Sequence, residues 1–328
     1  MRNRPEEYMG EGRIGAPEFE RLVTRIGNAD YLARPYSGKR DGMPVSECVR
    51  MAFLQDSSVM MASGTMTGVN PLIVRMAYAR AVNALAVRAV HTTTAALLLT
   101  VPKQMPEEQL RPYMREAFAL TKLSDVEIVR TNTDFVTAHI TVSGNPMTNI
   151  PKAEYPDGEY SIVMCGNAGA EMTVLLYEQH RKRLELKYPR HFLAGIPELA
   201  DGLVMVKACE TGFANGAVFG YACSDGGVYA GLFGMGERLR TGMKVNLPDI
   251  AISQKTIEVC EELDIDPYRI GSGGCIFLIT PDTQTLLGAL YEAGFDAQVI
   301  GTISAEAARE IHNGDEVRFL EPFRGSEM

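Results

Sequence analysis

The stretch KVNLPDIAISQKTIEVCEELDIDPYRIGSGGCIFLI, residues 244–279, contains two kinds of apolar pattern. A short apolar run, KVNL, precedes a helical pattern that starts after Ser253. Serine is favoured at helix N-termini because its hydroxyl accepts a backbone N–H bond. The glycine-rich GSGG then leads into a second apolar run, CIFLIT, which is typical of a buried strand. The stretch therefore predicts a strand, a helix and a second strand.

The same alternation continues on both sides of this stretch. Further helices are predicted over residues 17–27, 70–89, 106–123, 171–188, 226–242 and 281–294. Further strands are predicted over residues 95–101, 126–131, 135–144, 160–166, 202–208 and 296–303. In strand 135–144 the apolar residues alternate with polar ones, so one face is wet or lines an interface. The pattern predicts an α/β (α+β) protein with two α/β halves.

The segment 145–160 concentrates proline, asparagine and glycine, which favours a domain boundary there. The sequence then divides into an N-terminal helix and loop extension (1–44), a first domain (45–150) and a second domain (151–328). The 328 residues are enough for two domains of ordinary size.

Composition excludes several classes of protein. Hydrophobic residues make up 46% of the chain and mean hydropathy is −0.05, as in a globular protein with a sizeable core. The net charge of −9 argues against nucleic acid as the main partner. The sequence has no apolar signal segment, no membrane-spanning run and no C-x-x-C cysteine pair, so we expect a cytoplasmic location with reduced thiols.

Common catalytic motifs are missing: the sequence has no dinucleotide fingerprint, P-loop, nucleophile elbow or zinc spacing. SDGG, residues 224–227, precedes a predicted helix. Backbone N–H groups and the helix dipole at such a start can hold an anion. The alternative is an ordinary glycine-rich turn.

The order of segments resembles the AIR synthase superfamily, which includes aminoimidazole ribonucleotide synthase, selenophosphate synthetase, thiamine-monophosphate kinase and the hydrogenase expression/formation (maturation) protein. The resemblance runs from about residue 17 to about residue 323. It is strongest in residues 244–279 and in AGAEMTVLLYEQHRKRLELKYPRHFL, which looks like the helix that opens the family's second domain. The bacterial AIR synthase-related proteins labelled hydrogenase maturation factors look most similar.

The resemblance implies a PurM-like two-domain fold. An N-terminal sheet domain would form a barrel with its twin across a dimer interface, and a C-terminal α/β domain would pack on it. ATP would lie near the N-terminal sheet with Mg²⁺ held by aspartates, because a metal that bridges phosphates requires hard oxygen ligands.

The family's acidic motifs are degraded in this sequence. The first falls on VSECV, which keeps an acid at Glu47 without the glycine setting. The second falls on Gly64, and the third, an Asn-Asp pair within a helix, falls on Asn83 and Ala84.

The fourth motif, a glycine turn, falls on RTNT, where Arg130 replaces a glycine and Thr133 is kept. The fifth keeps Gly226 and Gly227 but has Ala222 in place of the aspartate. A conventional Mg²⁺-ATP site is hard to assemble from what remains. The chain also ends in EPFRGSEM, without the C-terminal cysteine through which the hydrogenase maturation protein works.

The first hypothesis is a divergent member with a lost or altered Mg-ATP site that acts as a structural or regulatory partner. It would form a homodimer or a heterodimer with a paralogue. In a variant of this hypothesis, arginines in the former nucleotide pocket hold a small anionic ligand without metal. These arginines are Arg75, Arg80, Arg88 and Arg130; the alternative for them is ordinary surface ion pairing.

The second hypothesis is an active ATP-dependent phosphotransferase or ligase, for which ATP and Mg²⁺ are the cofactors. Its replacement ligands would come from Glu47, Asp56, Asp134 and Asp225. A third is a carrier for a sulfur- or selenium-containing intermediate. The candidate nucleotide- or anion-binding residues are Glu47, Asn83, Arg88, Arg130, Thr133, Asp225, Gly226 and Gly227, and no metal ligand is assigned.

Overall fold

The computed structural model describes residues 49–54, 57–146 and 159–323, with side chains from residue 59 onward. The predicted helix 17–27 and the rest of the N-terminal extension lie outside the described residues, as do Glu47 and Asp56.

The first half of the chain forms a five-stranded sheet. Its strands are β1 (Val49–Leu54), β2 (Ser57–Gly68), β3 (Val90–Pro102), β4 (Asp125–Thr131) and β5 (Val136–Pro146), in the order β1-β2-β5-β3-β4. Only the β3–β4 pair is parallel. One face of the sheet packs against α1 (Ile73–Ala86) and α2 (Glu107–Leu120). The strand alternation predicted for residues 135–144 is confirmed, because β5 alternates buried and half-exposed residues along its length.

The second half forms a seven-stranded sheet in the order β12-β11-β8-β10-β6-β9-β7. Its strands are β6 (Ser161–Cys165), β7 (Phe219–Ala222), β8 (Gly242–Asn246), β9 (Ile276–Thr280), β10 (Ala297–Ser304), β11 (Arg309–Asn313) and β12 (Glu316–Phe319). Its helices are α3 (Ala170–Lys187), α4 (Arg190–Ala194), α5 (Val206–Ala214), α6 (Gly227–Leu239), α7 (Gln254–Leu263) and α8 (Thr283–Glu292).

The strand, helix and strand predicted within residues 244–279 are confirmed as β8, α7 and β9. The Ser253 side chain caps α7 by accepting a hydrogen bond from the Lys255 N–H at 3.2 Å. Asp282 caps α8 in the same way, accepting from the Thr285 N–H at 3.1 Å. Local capping chemistry therefore sets where both helices begin.

The strand predicted over residues 202–208 is wrong. Residues 203–205 have no regular secondary structure, and Val206 starts helix α5. The apolar run LVMV looked like a strand, but Ala208, Cys209 and Gly212 bury one face at helical spacing. A short apolar run does not distinguish the two structures without its tertiary partners.

The hydrophobic core is continuous between the halves. One buried cluster contains α1 residues such as Leu85 together with Val174, Leu184 and Leu203 from the second half. The two sheets lie within residues 49–146 and 161–319, on either side of the segment predicted as a boundary. Helix α1 therefore packs against both halves. It places Arg80, Asn83 and Ala84 at the contact between the two halves, which we call the seam.

Candidate functional site

The site begins on α1, where Asn83 is buried and fully engaged with the second half of the chain. Its side-chain amide donates to the Leu203 carbonyl at 2.7 Å, and its Oδ1 accepts from the Met205 N–H at 2.7 Å. The neighbouring Ala84 is half-buried and offers no polar atom beyond the backbone. Asn83 therefore holds the irregular segment 203–205 against α1, and binding a ligand through its amide would break those two hydrogen bonds.

Gly64 on β2 marks a position where the backbone itself lies against α1. A Cβ atom built there would be 2.0 Å from the Ala77 carbonyl oxygen, well inside van der Waals contact. This is the position at which the resemblance expects an acid. Because the helix passes directly over this strand, no side chain fits at Gly64 and none can project toward a ligand.

The centre of the site is a guanidinium between two carboxylates. Arg80 on α1 makes a bidentate pair with Glu171, Nε to Oε1 at 2.8 Å and Nη2 to Oε2 at 2.7 Å. Its third nitrogen, Nη1, lies 2.7 Å from Oδ1 of Asp225. Helix α1, the start of α3 and the SDGG turn therefore meet at one side chain. We call these three residues the Arg80 triad.

The triad is largely removed from water. The Glu171 side chain is fully buried, while Arg80 is 11% exposed and Asp225 29%. Glu171 also accepts a hydrogen bond from the Gly273 N–H at 3.1 Å. Burial alone would lower the pKa of Arg80, but the charges of Glu171 and Asp225 outweigh it and raise that pKa above its ordinary value. The guanidinium is therefore charged at every relevant pH.

The SDGG turn is enclosed by the chain itself. Gly226 and Gly227 both have positive φ angles, +77° and +69°, which glycine adopts at little cost. A Cβ on Gly227 would be 2.4 Å from the Tyr268 carbonyl oxygen, which also accepts the Tyr229 N–H at the start of α6. The Phe323 ring lies against Gly226. Backbone carbonyls therefore lie against the helix start for which the sequence left open either an anion site or an ordinary glycine-rich turn.

Two of the other predicted arginines, Arg88 and Arg130, contact backbone carbonyls. Arg88 donates to the Ala84 carbonyl at 2.7 Å, and burial together with the nearby charge of Arg238 lowers its pKa to about 9. Arg130 donates to the carbonyls of Lys103 and Met105 at 3.1 and 2.6 Å.

Thr133 contacts its own turn, where its hydroxyl accepts from the Phe135 N–H at 3.4 Å. Arg75, the fourth arginine of the anion hypothesis, pairs with Glu116 and Asp201. Arg75 and Arg80 thus both form ion pairs, Arg75 with the exposed Asp201 and Arg80 within the buried triad. Of the predicted candidates, Asp225, Gly226 and Gly227 lie together at the triad, and Arg130 and Thr133 lie at the edge strand β4 and the turn after it.

Glu171 is the functional candidate that sequence reasoning missed. Among the residues whose side chains the structure describes, Glu171 is the one acidic residue that is buried. The available signal was its setting, AGAEMTVLL, in which a single acid stands in an apolar run at a helix start. An isolated acid in such a run requires a partner, because a buried charge is costly unless it is paired.

The triad has the right oxygen donors for Mg²⁺ but the wrong arrangement. Carboxylate oxygens are suitable ligands, yet the guanidinium nitrogens lie 2.7–2.8 Å from the oxygens that a metal would need. Across the described residues no group of three or more His, Cys, Asp or Glu side chains could hold a metal ion. The residues present do not fit a metal while Arg80 stays in place.

Comparisons with known proteins identify the fold. The sequence matches no family model, and no curated protein is significantly similar to it. Escherichia coli HypE, a hydrogenase maturation protein, is 17% identical with a TM-score of 0.68, over 82% of this chain and 87% of that one. A HypE–HypF complex gives 14% identity and a TM-score of 0.66, over 83% and 93%. Thiamine monophosphate kinase from Aquifex aeolicus gives 11% and 0.61, over 83% and 92%.

These matches confirm the predicted fold class. The chain has the PurM-like α/β fold that HypE and thiamine monophosphate kinase share, at 17% and 11% sequence identity. No helix among the described residues is long and apolar enough to cross a membrane.

Proposed function

We propose that this chain is a divergent protein of the AIR synthase-like fold in which a salt-bridge network takes the place of the Mg²⁺-ATP site. It acts as a structural or regulatory partner rather than as a phosphotransferase. The observation that carries the proposal is the position of Arg80, whose guanidinium supplies the positive charge between Glu171 and Asp225 that a metal would otherwise supply.

Two further features support this proposal. The close packing of Gly64 on α1 leaves no room for an acid on β2, and Asn83 is committed to the segment 203–205. Binding ATP through these positions would require the seam between the halves to open. An active site instead requires preorganised charge aimed at its ligand.

The test is isothermal titration of the full-length protein with a non-hydrolysable ATP analogue, with and without Mg²⁺. We expect no metal-dependent binding. Tight Mg²⁺-dependent binding, together with an ATPase rate that disappears in Asp225→Ala, would overturn the proposal. That result would favour the alternative function, an ATP-dependent phosphotransferase or ligase, for which the partly exposed Asp225 at the start of α6 is the best-placed ligand.

A gain-of-binding variant makes the test sharper. Arg80→Ala removes the guanidinium and leaves Glu171 and Asp225 facing the vacated space. We expect Mn²⁺ to raise the melting temperature of Arg80→Ala but not that of the parent protein, because a divalent ion can replace the lost charge. Arg318→Ala, which breaks an exposed ion pair with Glu316, is the matched control.

The face of the first sheet opposite α1 and α2 is called the open face. We further propose that the open face is a dimer interface, with a second copy or a paralogue as the partner. This face carries hydroxyls and one imidazole: the Thr65 hydroxyl lies 2.6 Å from Nδ1 of His139, and the Ser63 and Thr141 hydroxyls lie 3.0 Å apart. These side-chain hydrogen bonds join β2 to β5 and supply hydrogen-bonding positions for a partner.

Light scattering of the purified chain measures its mass in solution. Thr141→Arg, in the middle of the open face, should turn a homodimer into a monomer, whereas the exposed control Gln284→Arg on α8 should not. A wild-type monomer would exclude the homodimer and direct the search to a paralogue.

A further inference from the structure

An apolar groove lies between helix α2 and the edge strand β4. It has a volume of about 620 Å³ and is lined by Leu110, Met114, Phe118, Ala119 and Ile128. Phe118 is 62% exposed and Ile128 43%. We call this feature the α2–β4 groove. Large apolar side chains exposed together usually mark a surface that another segment covers.

The groove extends outward from the edge of the first sheet's core. Helix α2 buries Leu110, Tyr113 and Ala117 against the first sheet; Leu110 also borders the groove, which Met114 and Phe118 line further along the helix. Strand β4 is exposed along most of its length and pairs with one neighbour, β3. The groove is therefore an exposed apolar surface on α2 that adjoins, at Leu110, the surface that attaches the helix to the sheet.

We propose that residues 17–27 of this same chain occupy the α2–β4 groove as an amphipathic helix. In the sequence PEFERLVTRIG, the residues Phe19, Leu22, Val23 and Ile26 recur at helical spacing and form one apolar face. Eleven helical residues span about 16 Å, and the fourteen residues of α2 span about 21 Å, at 1.5 Å per residue. The two lengths are compatible.

The charges at the edges of the groove also agree with this occupant. Arg111 and Arg115 line the groove together with Glu107, which pairs with Arg111 at 3.0 Å. In a helix over 17–27, Glu20 borders one side of the apolar face and Arg25 the other. With Glu20 on the side of α2, its carboxylate would lie beside Arg115, where opposite charges attract.

The chain can reach the groove from where it enters the fold. Val49 at the start of β1 pairs with Ala62 on β2, and Ala62 pairs with Val142 on β5. Val142 pairs with Ala95 on β3, which lies next to the start of β4. Four strand spacings of about 4.8 Å separate β1 from β4, which makes about 19 Å. Residues 28–48 span up to about 70 Å when extended, so the connection imposes no strain.

Hydrogen–deuterium exchange of the full-length protein tests the proposal. We expect slow exchange in residues 17–27 of the parent protein. In Phe118→Asp we expect that exchange to be at least about tenfold faster, because the groove loses its most exposed apolar contact. Leu186→Asp, which changes a 91% exposed side chain on α3, is the matched control and should leave residues 17–27 unchanged.

The reciprocal variant keeps the result interpretable. Leu22→Asp should speed exchange in residues 107–120 while the second sheet stays protected. Unprotected residues 17–27 in the parent protein, or protection that Phe118→Asp leaves intact, would overturn the proposal. Protection of residues 17–27 that disappears on dilution, together with a dimeric mass, would assign the contact to a second copy and would also overturn it.

Discussion

Replacing Arg80 with methionine tests the Arg80 triad directly, since methionine keeps most of the side-chain volume and removes the charge. Glu171 then stays fully buried with the Gly273 N–H as a remaining donor. Breaking a buried ion pair by removing one partner typically costs about 3–5 kcal/mol. Asp225 is 29% exposed and stays solvated, so it adds little to this cost.

We expect Arg80→Met to be destabilised by about 3–5 kcal/mol, because the fully buried Glu171 loses its charged partner and keeps the Gly273 N–H as a hydrogen-bond donor.

Urea unfolding followed by far-ultraviolet circular dichroism measures the loss of stability. Arg318→Met is the control: its ion pair with Glu316 is exposed, so we expect a loss of about 0–1 kcal/mol. A loss for Arg80→Met below about 1 kcal/mol would refute the assignment of a buried, charge-compensated Glu171.

Four further outcomes follow from the surroundings of single residues. Asn83→Ala should cost about 2–4 kcal/mol in urea unfolding, because it removes two buried hydrogen bonds and leaves their backbone partners unsatisfied. Gly64→Ala should destabilise the protein by more than about 3 kcal/mol, since its methyl would overlap the Ala77 carbonyl. Gly288→Ala, in α8 with open space around it, should instead stabilise the protein by about 0.5–1 kcal/mol. Burial raises the pKa of Cys165 to about 12, so peptide mapping after iodoacetamide treatment near pH 8 should find this thiol unmodified until the protein unfolds.

The sequence predicted individual helices and strands where short-range features, such as apolar spacing and helix capping, determine them. Ser253 and the apolar runs around it predicted a strand, a helix and a strand, and the hydroxyl caps the helix as expected. Strands β7 and β12 were not predicted, because each has four residues and lacks a clear period. Such strands are fixed by the neighbours with which they pair, not by their own sequence.

The site was predicted in part, for a similar reason. The sequence placed Ala84 and Gly64 where acids were expected, but it did not show why an acid is missing at Gly64, which depends on how closely α1 passes over β2. It also did not associate Arg80 with Glu171. These residues are 91 positions apart, and their contact exists after both halves have folded against α1. An ion pair between distant residues has no local signature.

A metal ion can be removed by a chelator or lost when the cell is starved of it, but a guanidinium attached to the backbone cannot. The contact that Arg80 makes with α3 and the SDGG turn from α1 is therefore part of the polypeptide itself and is present once in every chain. Under the proposed function, neither metal supply nor nucleotide level would change it. A partner protein that recognises this seam would encounter the same surface under every metabolic condition, as a constitutive scaffold requires.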